Sequence, residues 1–582
     1  MEKPMDVLKL SPVPTPDDAM ALDIPMRDGV TLAADLYRPD HGRPTATILI
    51  RTPYGKGLGA PMFDLPSIAR IFVAHGFSVV AQDVRGRFAS GGGQEVYRRE
   101  IDDGYDTLDW IVAQDWSDGN IGMWGTSYVG FTQLAAAASG HPALKAIVPR
   151  MTGTELGFPM GFADGSSDVE HAVFRWYFGQ VYADNPLYMF PLDWSFRPLR
   201  QIFDPFFDYL GKRSQDFDDS FNPEFFKRVV PRSRLLANPI PTLYTVGTYD
   251  MAAIWSWRDV EAMQKSPLWH DKLHLRIEAI DHESYSLDLA PMTDEDDHRK
   301  NARARERLQR QWVDPTIPFY DRHLRGFGEG VARVAYQVGK GGWETAPTWP
   351  PQPAQAVQFH LDGTGPEAQG RLSLLPVEDR RIARWRHDPE APVPSIAVTE
   401  EAPCGPGVKS IFMVWPDLAP LGERPDVLAF ATEPVAGDLL LAGPVDLRAM
   451  LASTLTSADL FCRLSDLAPD GTAGLIARGH VRVGLDPVEE GADDEAVARA
   501  AHPVHVPLLH ASYRLPAGHR LLLHVFGSDF PEYLFNPGDG SETWDAETAL
   551  AGTHALELGG LRGATLTVTA ANPPEAVARA FG

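Results

Sequence analysis

The first 150 residues alternate between short apolar runs and segments with helical periodicity. Residues 18–39 alternate polar and apolar positions around a turn at 27–29, which predicts a β-hairpin. The apolar runs that follow are typical of strands buried on both faces. Because strands separated by helices form parallel sheets, this region predicts an α/β fold. Strands are predicted at 47–51, 77–83, 121–124 and 144–149, and helices at 67–75, 107–114 and 129–139.

The pattern changes after residue 150, where the segment 151–235 is crowded with aromatic residues, proline and aspartate. Strand alternation is lost in that segment, so we predict a helical insertion. Strands and helices alternate again further on, with strands at 242–246 and 274–279 and a charged helix at 296–311. The sheet of the first region is therefore expected to continue after the insertion.

From about residue 335 the chain shows short apolar alternations between Pro, Gly and Asp turns. Helical periods are missing between most of them, and this pattern favours an antiparallel β-sandwich. The proline-rich stretch 347–353 is typical of a linker. We therefore expect an α/β domain at 1–150 and 236–334, a cap at 151–235, and a β domain at 335–582. Strands of the β domain are predicted at 357–361, 426–432, 437–447, 458–466, 474–483 and 520–525.

Length and charge limit the possible functions. A chain of 582 residues exceeds the roughly 250–300 residues that one hydrophobic core supports, so several domains are expected. A formal net charge of −25 repels phosphate backbones and anionic lipid, which argues against nucleic-acid and membrane partners. Residues 1–25 have no apolar core behind a basic start, and a secretory signal is not expected. With only Cys404 and Cys462, the composition favours a soluble protein in a reducing, cytoplasmic compartment.

The strand predicted at 121–124 runs directly into Gly-Thr-Ser-Tyr-Val-Gly at 125–130 and then into a helix. A serine at such a sharp strand-to-helix turn is exposed at the carboxyl end of the sheet, as in a nucleophile elbow. The backbone N–H of the next residue then points at a developing oxyanion. Ser127 is the predicted nucleophile, although Val129 stands where the usual motif has its second glycine, which here is Gly130.

An acid and a histidine should follow the serine, each on a loop after a later strand. Asp250 follows the strand at 242–246, and His282 follows the strand at 274–279. A serine hydroxyl needs an imidazole to take its proton, and a carboxylate to hold the correct tautomer. We expect His282 to act as general base and Asp250 to orient it, while Asp281 and Asp259 remain alternatives for the acid.

Several separate stretches carry a resemblance to the family of cocaine esterase, the X-prolyl dipeptidyl peptidases and the α-amino-acid ester hydrolases. They include Met-Arg-Asp-Gly-Val-Thr-Leu-Ala-Ala-Asp at 26–35 and Arg-Thr-Pro-Tyr at 51–54. They also include Gln-Asp-Val-Arg-Gly-Arg-Phe-Ala-Ser-Gly-Gly at 82–92 and the elbow at 125–130. Further stretches lie at 247–250, 319–326 and 388–394, so that the resemblance covers most of the chain.

The resemblance implies an α/β-hydrolase core with an inserted helical cap, followed by an all-β jelly-roll domain. It also implies that Tyr54 donates its phenolic O–H to the oxyanion and that the backbone N–H of Tyr128 is the second donor. Two places depart from the family pattern. Thr248 stands where members have Trp, and the run 278–282 replaces a Gly-Pro-Trp-x-His stretch around the histidine.

The aromatic cap suggests a pocket for an apolar acyl or alcohol group. The amino-acid ester hydrolases carry Glu at the position of Val129, where it helps to hold a substrate ammonium, and full X-prolyl peptidases have an additional amino-terminal region. Both differences favour a plain carboxylic ester as the substrate. The candidate pocket residues are Phe88, Trp176, Phe178, Trp255 and Trp257.

Two other functions remain open. An amidase, a peptidase or an acyltransferase could use the same three residues, and a glycan- or protein-binding protein could retain the hydrolase domain without activity. Metal and organic cofactors are not expected, because no His/Cys/Asp cluster has ligand-like spacing and the glycines at 91–93 do not open a helix. The expected partner is a small ester or amide with an apolar group. The oligomeric state stays open, with a homodimer as one alternative.

Overall fold

The structure, a computed structural model, divides into two compact units, which we describe separately. One runs to Gly157 and resumes between Lys212 and Ala335; the other takes the described residues of Phe158–Phe174 and Phe190–Gly211 together with those of Tyr336–Gly582. Part of the predicted cap thus groups with the β-rich unit, and the boundaries at 151 and 235 stay predictions. The described residues are 14–57, 64–93, 95, 97–159, 161–162, 164–171, 193, 195–211, 213, 215–226, 229–289, 293–363, 369–396 and 416–581.

The described helices, numbered in chain order, are short. None of them is long and apolar enough to cross a membrane. They are α1 (Leu65–Ala74), α2 (Glu100–Val112), α3 (Tyr128–Ser139), α4 (Asp204–Leu210), α5 (Gln215–Asp219), α6 (Pro223–Phe226), α7 (Arg232–Leu236), α8 (Ala253–Lys265), α9 (Ala302–Val313), α10 (Ile317–Leu324), α11 (Asp494–Ala500) and α12 (Pro574–Phe581).

The first unit contains a sheet with the strand order β1-β2-β4-β3-β5-β6-β7-β8. The hairpin β1–β2 is antiparallel, and β2 is also antiparallel to β4. From β4 across to β8 every neighbouring pair is parallel, so the carboxyl ends of these strands share one edge. The strands are β1 (Met20–Pro25), β2 (Thr31–Tyr37), β3 (Thr45–Thr52), β4 (Ser78–Asp83), β5 (Ser117–Thr126), β6 (Leu144–Arg150), β7 (Thr242–Gly247) and β8 (Leu273–Glu278).

Helices pack on this sheet through large apolar side chains. All residues of β3 and β4 are buried, as expected for strands covered on both faces. The rings of Phe72 (α1) and Trp124 (β5) meet edge to face at 5.9 Å, and Phe72 meets Tyr320 (α10) at 6.0 Å. Helix α1 begins where Asp64 accepts the backbone N–H of Ser67 at 3.1 Å, an ordinary N-cap. The core therefore fixes the strand ends that carry the site.

The second unit is dominated by one connected antiparallel sheet in the order β13-β20-β15-β21-β11-β12-β14-β19-β16-β17, with β18 paired to β15. Only the short contact of β12 with β14 is parallel. Strands β9 (Val334–Gln337) and β10 (Trp343–Ala346) do not belong to this sheet. Its strands are β11 (Gln355–Asp362), β12 (Gly370–Ser373), β13 (Arg381–His387), β14 (Val427–Ala431), β15 (Leu439–Ser453), β16 (Ser457–Leu467), β17 (Ala473–Gly484), β18 (His502–Leu515), β19 (Arg520–Phe526), β20 (Gly552–Leu558) and β21 (Thr565–Ala570).

The proline-rich segment predicted to be a linker belongs to the second unit. The predicted linker at 347–353 lies inside the unit, where the buried Trp349 donates its indole N–H to His510 at 2.9 Å. A linker interpretation is therefore wrong, because the indole ring gives the proline-rich segment an apolar anchor.

Cys462 is buried in β16, and burial raises the pKa of its thiol, while Cys404 lies outside the described residues.

Candidate active site

Strand β5 ends at Thr126, helix α3 begins at Tyr128, and Ser127 is the single residue between them. Ser127 has φ 58° and ψ −124°, a left-handed conformation that is unfavourable for a residue with a side chain. Its N–H donates to the carbonyl of Arg150 at 3.0 Å, and its own carbonyl accepts the N–H groups of Gly130 and Phe131. These bonds hold the serine in the strained turn that the sequence predicts.

The two glycines of the elbow are required by close approach. At Gly125, with φ +147°, a Cβ atom would lie 2.2 Å from Cγ1 of Val129. At Gly130, a Cβ atom would lie 2.7 Å from Cγ2 of Thr152 and 3.1 Å from the carbonyl of Arg150. The departure from the usual motif is thus steric: Val129 fills the space over Gly125, and Gly130 lets α3 approach the end of β6.

The loops after β7 and β8 are tied to each other by backbone hydrogen bonds. The N–H of Thr248 donates to Glu278 at 2.8 Å, and that of Tyr249 donates to Ile280 at 3.1 Å. Gly247 admits no side chain, since its Cβ would lie 2.9 Å from the Ile280 carbonyl. Replacing the family's Trp by Thr248 therefore leaves a turn whose backbone is still joined to the histidine loop.

Ser127, His282 and Asp250 lie in one hydrogen-bonded chain. His282 Nε2 is 3.0 Å from Ser127 Oγ, and His282 Nδ1 is 2.6 Å from Asp250 Oδ1. With Nδ1–H donating to the carboxylate, Nε2 is free to accept the serine proton. This arrangement has the geometry of a nucleophile, a base and an orienting acid.

The two alternative acids have other partners. Asp259 accepts the N–H and hydroxyl of Thr154, at 2.6 and 2.8 Å, and Nε of Arg232 at 2.6 Å. Asp281 accepts the backbone N–H groups of Glu283 and Tyr285 at 3.0 and 2.9 Å. Because the imidazole Nδ1 bonds to Asp250 at 2.6 Å, Asp250 is the acid that the geometry favours.

Asp281 instead shapes the histidine loop. Its side chain is fully buried and caps the turn that follows His282. The loop closes with a bridge between Ile280 and Ser286, and Ser284 has a left-handed φ of 64°. The unusual run at 278–282 therefore forms a defined turn in which a carboxylate organises the backbone.

Three carboxylates set the electrostatics around His282. Burial lowers the pKa of His282, but the charge and hydrogen bond of Asp250, with smaller contributions from Glu283 and Asp281, outweigh it and raise the pKa overall. Glu283 is itself buried, and that burial raises its pKa to about 7 although the charges of His282 and Arg299 oppose the change. Glu283 was not among the residues singled out from the sequence, although it directly follows His282.

The predicted oxyanion donors lie beside the serine. The hydroxyl of Tyr54 is hydrogen-bonded to the Ser127 side chain and accepts the backbone N–H of Tyr128. Burial raises the pKa of Tyr54 to about 12, so the phenol keeps its proton at neutral pH. Tyr128 is the first residue of α3, where the N–H groups have no partner within the helix and the helix dipole favours an anion.

The predicted pocket residues have mixed outcomes. Phe88 is half-buried with φ 47°, and the guanidinium of Arg87 lies 5.3 Å above its ring while Nε of Arg87 donates to the Pro53 carbonyl at 3.0 Å. This places Phe88 close to the turn that carries Tyr54. Trp255 and Trp257 are both buried in α8. A substrate-lining role for these three residues stays a prediction, and Trp176 and Phe178 lie outside the described residues.

Comparisons with known proteins agree with this geometry. Residues 28–177 match the family model of the X-Pro dipeptidyl-peptidase (S15 family), and residues 326–567 match that of the X-Pro dipeptidyl-peptidase C-terminal non-catalytic domain. Cocaine esterase of Rhodococcus sp. (strain MB1 Bresler) is 29% identical over 568 residues, covering 89% of this chain and 92% of the relative. The chain belongs to the family of cocaine esterase and the X-prolyl dipeptidyl peptidases. The predicted resemblance is confirmed, and the protein is a serine hydrolase.

Solved structures show the same fold. An aminopeptidase from a marine sediment archaeon, Thaumarchaeota archaeon, has a TM-score of 0.76 at 21% identity and covers 97% of this chain and 99% of its own. An α-amino acid ester hydrolase also has a TM-score of 0.76, at 22% identity, with 95% and 97% covered. The predicted fold class is confirmed: an α/β-hydrolase core and a β-rich C-terminal domain, while the inserted helical cap stays a prediction.

Proposed function

We propose that this family member is a carboxylic ester hydrolase that works through an acyl-enzyme. The observation that carries the proposal is the chain from Asp250 through His282 to Ser127, with bonds of 2.6 and 3.0 Å. A serine and a base within hydrogen-bond reach, with the base oriented by a third group, are the requirements of nucleophilic catalysis.

In the first half of the reaction, Ser127 attacks the ester carbonyl while His282 Nε2 takes the hydroxyl proton. The negative charge that develops on the carbonyl oxygen is bound by the Tyr54 O–H and the Tyr128 N–H. Support comes from the contacts of the Tyr54 hydroxyl with the Ser127 side chain and the Tyr128 backbone, and we propose that the oxyanion replaces the contact between the Tyr128 N–H and the Tyr54 oxygen. The protonated His282 then gives its proton to the leaving alcohol, and the acyl group stays on Ser127.

In the second half, a water molecule attacks the acyl-enzyme and His282 takes its proton. The same two donors stabilise the second oxyanion, and collapse returns the proton to Ser127. Asp250 stays ionised throughout and holds the imidazole tautomer, which also stabilises the imidazolium. None of these steps requires a metal or an organic cofactor.

An ester with an apolar group is the proposed substrate class. Support comes from cocaine esterase, a relative that covers 89% of this chain and whose name states an ester substrate. Val129 supports it as well, because this buried side chain packs over Gly125 and offers no charge to a substrate ammonium. The aromatic residues Phe88, Trp255 and Trp257 are proposed to contribute to the acyl or alcohol pocket.

A second candidate is cleavage of an amide or peptide, or acyl transfer, by the same residues. The family models that match both parts of the chain are described as those of an X-Pro dipeptidyl-peptidase. Amide bonds need the same tetrahedral intermediate but a poorer leaving group. Competition between an ester, the matching anilide and an X-Pro dipeptide at equal concentration separates the two candidates by their kcat/KM ratio.

The nucleophile is tested by covalent labelling. A fluorophosphonate should add once to the protein, at Ser127, and the Ser127→Ala variant should neither react nor hydrolyse p-nitrophenyl esters. Intact-mass and peptide mass spectrometry locate the adduct. Labelling at another serine, or full esterase activity in Ser127→Ala, would overturn the proposal.

The cytoplasmic location and the lack of nucleic-acid and membrane partners are also proposals. They are supported by the net charge of −25 and the two cysteines. Cell fractionation with a cytoplasmic marker tests the location, and light scattering after gel filtration measures whether the protein is a homodimer or a monomer.

A further inference from the structure

A buried carboxylate lies beneath the nucleophile elbow, outside the chain of Ser127, His282 and Asp250. Glu100 is the first residue of α2, and only 3% of its surface is exposed. Its Oε1 accepts the phenolic O–H of Tyr128 at 2.8 Å, and its Oε2 accepts Nη1 of Arg51 at 2.6 Å. The two oxygens of the Glu100 carboxylate are thus bonded to two different elements, helix α3 through Tyr128 and strand β3 through Arg51.

The Arg51 side leads to the first oxyanion donor. Arg51 is fully buried near the end of β3, three residues before Tyr54. Its Nε donates to Gln82 Oε1 at 2.7 Å, and Gln82 Nε2 donates to Thr107 of α2 at 3.0 Å. These bonds join the end of β3 to β4 and to α2, so the start of the turn that presents Tyr54 is held against the helix that carries Glu100.

The Tyr128 side leads to the second donor. The Tyr128 hydroxyl donates to Glu100 and also accepts the backbone N–H of Tyr97 at 2.9 Å. Its buried ring packs at 4.7 Å from the ring of Tyr97 and at 5.8 Å from that of Phe131. A ring fixed at both its hydroxyl and its face fixes its own backbone, and the proposed oxyanion donor is the N–H of that same residue.

We propose that Glu100 is a positioning residue that sets the separation of the two oxyanion donors, one through the ring of Tyr128 and the other through Arg51. The inference rests on the proposed function, because it gives Glu100 a role only if Tyr54 and the Tyr128 N–H bind an oxyanion. The inference also gives a role to the buried ion pair of Glu100 and Arg51, which lies outside the chain of Ser127, His282 and Asp250.

Stability alone does not account for this ion pair. Taking a carboxylate and a guanidinium out of water costs several kcal/mol per ion, and replacement of such pairs by apolar residues is often neutral or stabilising. Burial, with a smaller contribution from the charge of Asp103, raises the pKa of Glu100 although Arg51 and Tyr128 both lower it, so the two partners do not fully offset the cost of the charge. An apolar replacement would lose the two bonds through which the Glu100 carboxylate connects Tyr128 with Arg51, and with them the fixed positions of the two proposed donors.

The test uses two near-isosteric variants of the full-length protein. Tyr128→Phe removes the hydroxyl but keeps the ring and the backbone N–H, and Glu100→Gln keeps the volume but removes the charge. Tyr320→Phe is the matched control, since this fully buried tyrosine donates to the Met123 carbonyl at 2.7 Å on the same sheet. The readouts are kcat and KM for a p-nitrophenyl ester, Ki for an alkyl boronic acid, and Tm.

We expect kcat/KM to fall roughly 10- to 100-fold in both variants, through kcat and with little change in KM, because misplaced donors weaken only the transition state. The boronic acid forms a tetrahedral adduct with the serine, so its Ki should rise by the same factor. The double variant should be no worse than Glu100→Gln alone, as expected for residues that act through one contact. Tyr320→Phe should lower Tm without changing Ki.

Unchanged kcat/KM and Ki in Tyr128→Phe and Glu100→Gln would overturn the proposal. The proposal would also be overturned if the loss of activity in the two variants were explained by a lower Tm alone, with part of the protein unfolded at the assay temperature. Failure of the proposed function is recognised separately, because the wild-type protein would then not be labelled at Ser127 and would not bind the boronic acid.

Discussion

The two sides of the active site are built in different ways. On the nucleophile side, Ser127 and the two proposed oxyanion donors follow β5 and β3, and the buried Glu100 bonds to both Tyr128 and Arg51. On the base side, His282 lies on a loop whose shape depends on backbone bonds to Asp281. Departures from the family pattern are therefore accommodated differently: by a steric match between side chains at the elbow, and by backbone bonds and a capping carboxylate in the loop.

Backbone strain also separates the site edge from the rest of the first unit. Left-handed non-glycine residues occur just after β5 and β6, at Ser127 and Met151, and in the loops after β4 and β8, at Phe88, Tyr97 and Ser284. Each such residue costs about 1–3 kcal/mol and persists only where its surroundings fix it. The following variants test this comparison from the largest expected effect to the smallest.

Asp250→Asn should give the largest loss, about 10⁴-fold in kcat, because an amide at this position favours the wrong imidazole tautomer. Steady-state kinetics with a p-nitrophenyl ester measure the loss. Asp259→Asn is the matched control, since this buried carboxylate binds Thr154 and Arg232. It should lower Tm and leave kcat nearly unchanged. A greater kcat loss in Asp259→Asn than in Asp250→Asn would reverse the assignment of the acid.

Tyr54→Phe should lower kcat roughly 100- to 1000-fold, the usual effect of removing one oxyanion donor. Because burial raises the pKa of Tyr54 to about 12, the phenol donates across the neutral range and the loss should not depend on pH between 6 and about 9. Measurement of kcat across that range, with Tyr320→Phe beside it, tests both statements. A kcat equal to that of the wild-type protein would remove Tyr54 from the mechanism.

Asp281→Ala should loosen the loop that carries His282, without removing a group from the proposed mechanism. Two buried N–H groups would lose their acceptor, at a cost of about 1–3 kcal/mol each, and His282 would be held less firmly. We expect a lower Tm and a kcat reduced roughly 10-fold by misplacement of the base. Asp281→Asn keeps an acceptor oxygen and should recover most of both. Equal behaviour of the two variants would show that the cap does not hold the loop.

Glu283→Gln should have the smallest effect, a shift of the pH profile. His282 must be neutral to accept a proton, so activity is lost as the pH falls through its pKa. The charge of Glu283 raises that pKa, although burial raises the pKa of Glu283 itself to about 7 and leaves this charge only partly present on the acidic limb. Its removal should move the acidic limb of kcat/KM to lower pH by at most about half a pH unit. The exposed Glu306→Gln in α9 is the control and should leave the limb in place. A shift to higher pH would contradict this electrostatic account.

The sequence predicted the parts of the site that depend on strand ends. Ser127, Asp250 and His282 each follow an apolar strand, and parallel strands bring their carboxyl ends to one edge, where the structure places the three side chains together. It did not predict Glu100 or Glu283, because charged residues are read as solvated unless their partners are known. Helix α2 begins at Glu100, seven residues before its predicted start, for the same reason: Glu100 and Asp103 are buried against Arg51 and Arg85.

The β domain was predicted in class but incompletely in its strands. Strand β18 (His502–Leu515) was missed because Pro503 and Pro507 interrupt a pattern that otherwise alternates. Both prolines lie within its ladder with β15, which has a register shift between Pro444 and Asp446 that accommodates the irregular pairing. Such irregularities are set by the neighbouring strand, and one segment read by itself does not contain them.

The contact between Val129 and Gly125 has a consequence for how this motif can change in evolution. A side chain at 125 collides with Val129, and glycine at 129 would leave a void in the buried cluster that includes Trp124 and Val148. The two positions are therefore epistatic: a side chain at 125 requires a smaller residue than valine at 129, whereas the change towards Gly-x-Ser-x-Gly keeps Gly125 and loses only the packing of Val129. A library randomised at both positions, selected for ester hydrolysis, should return correlated pairs of residues in place of independent ones.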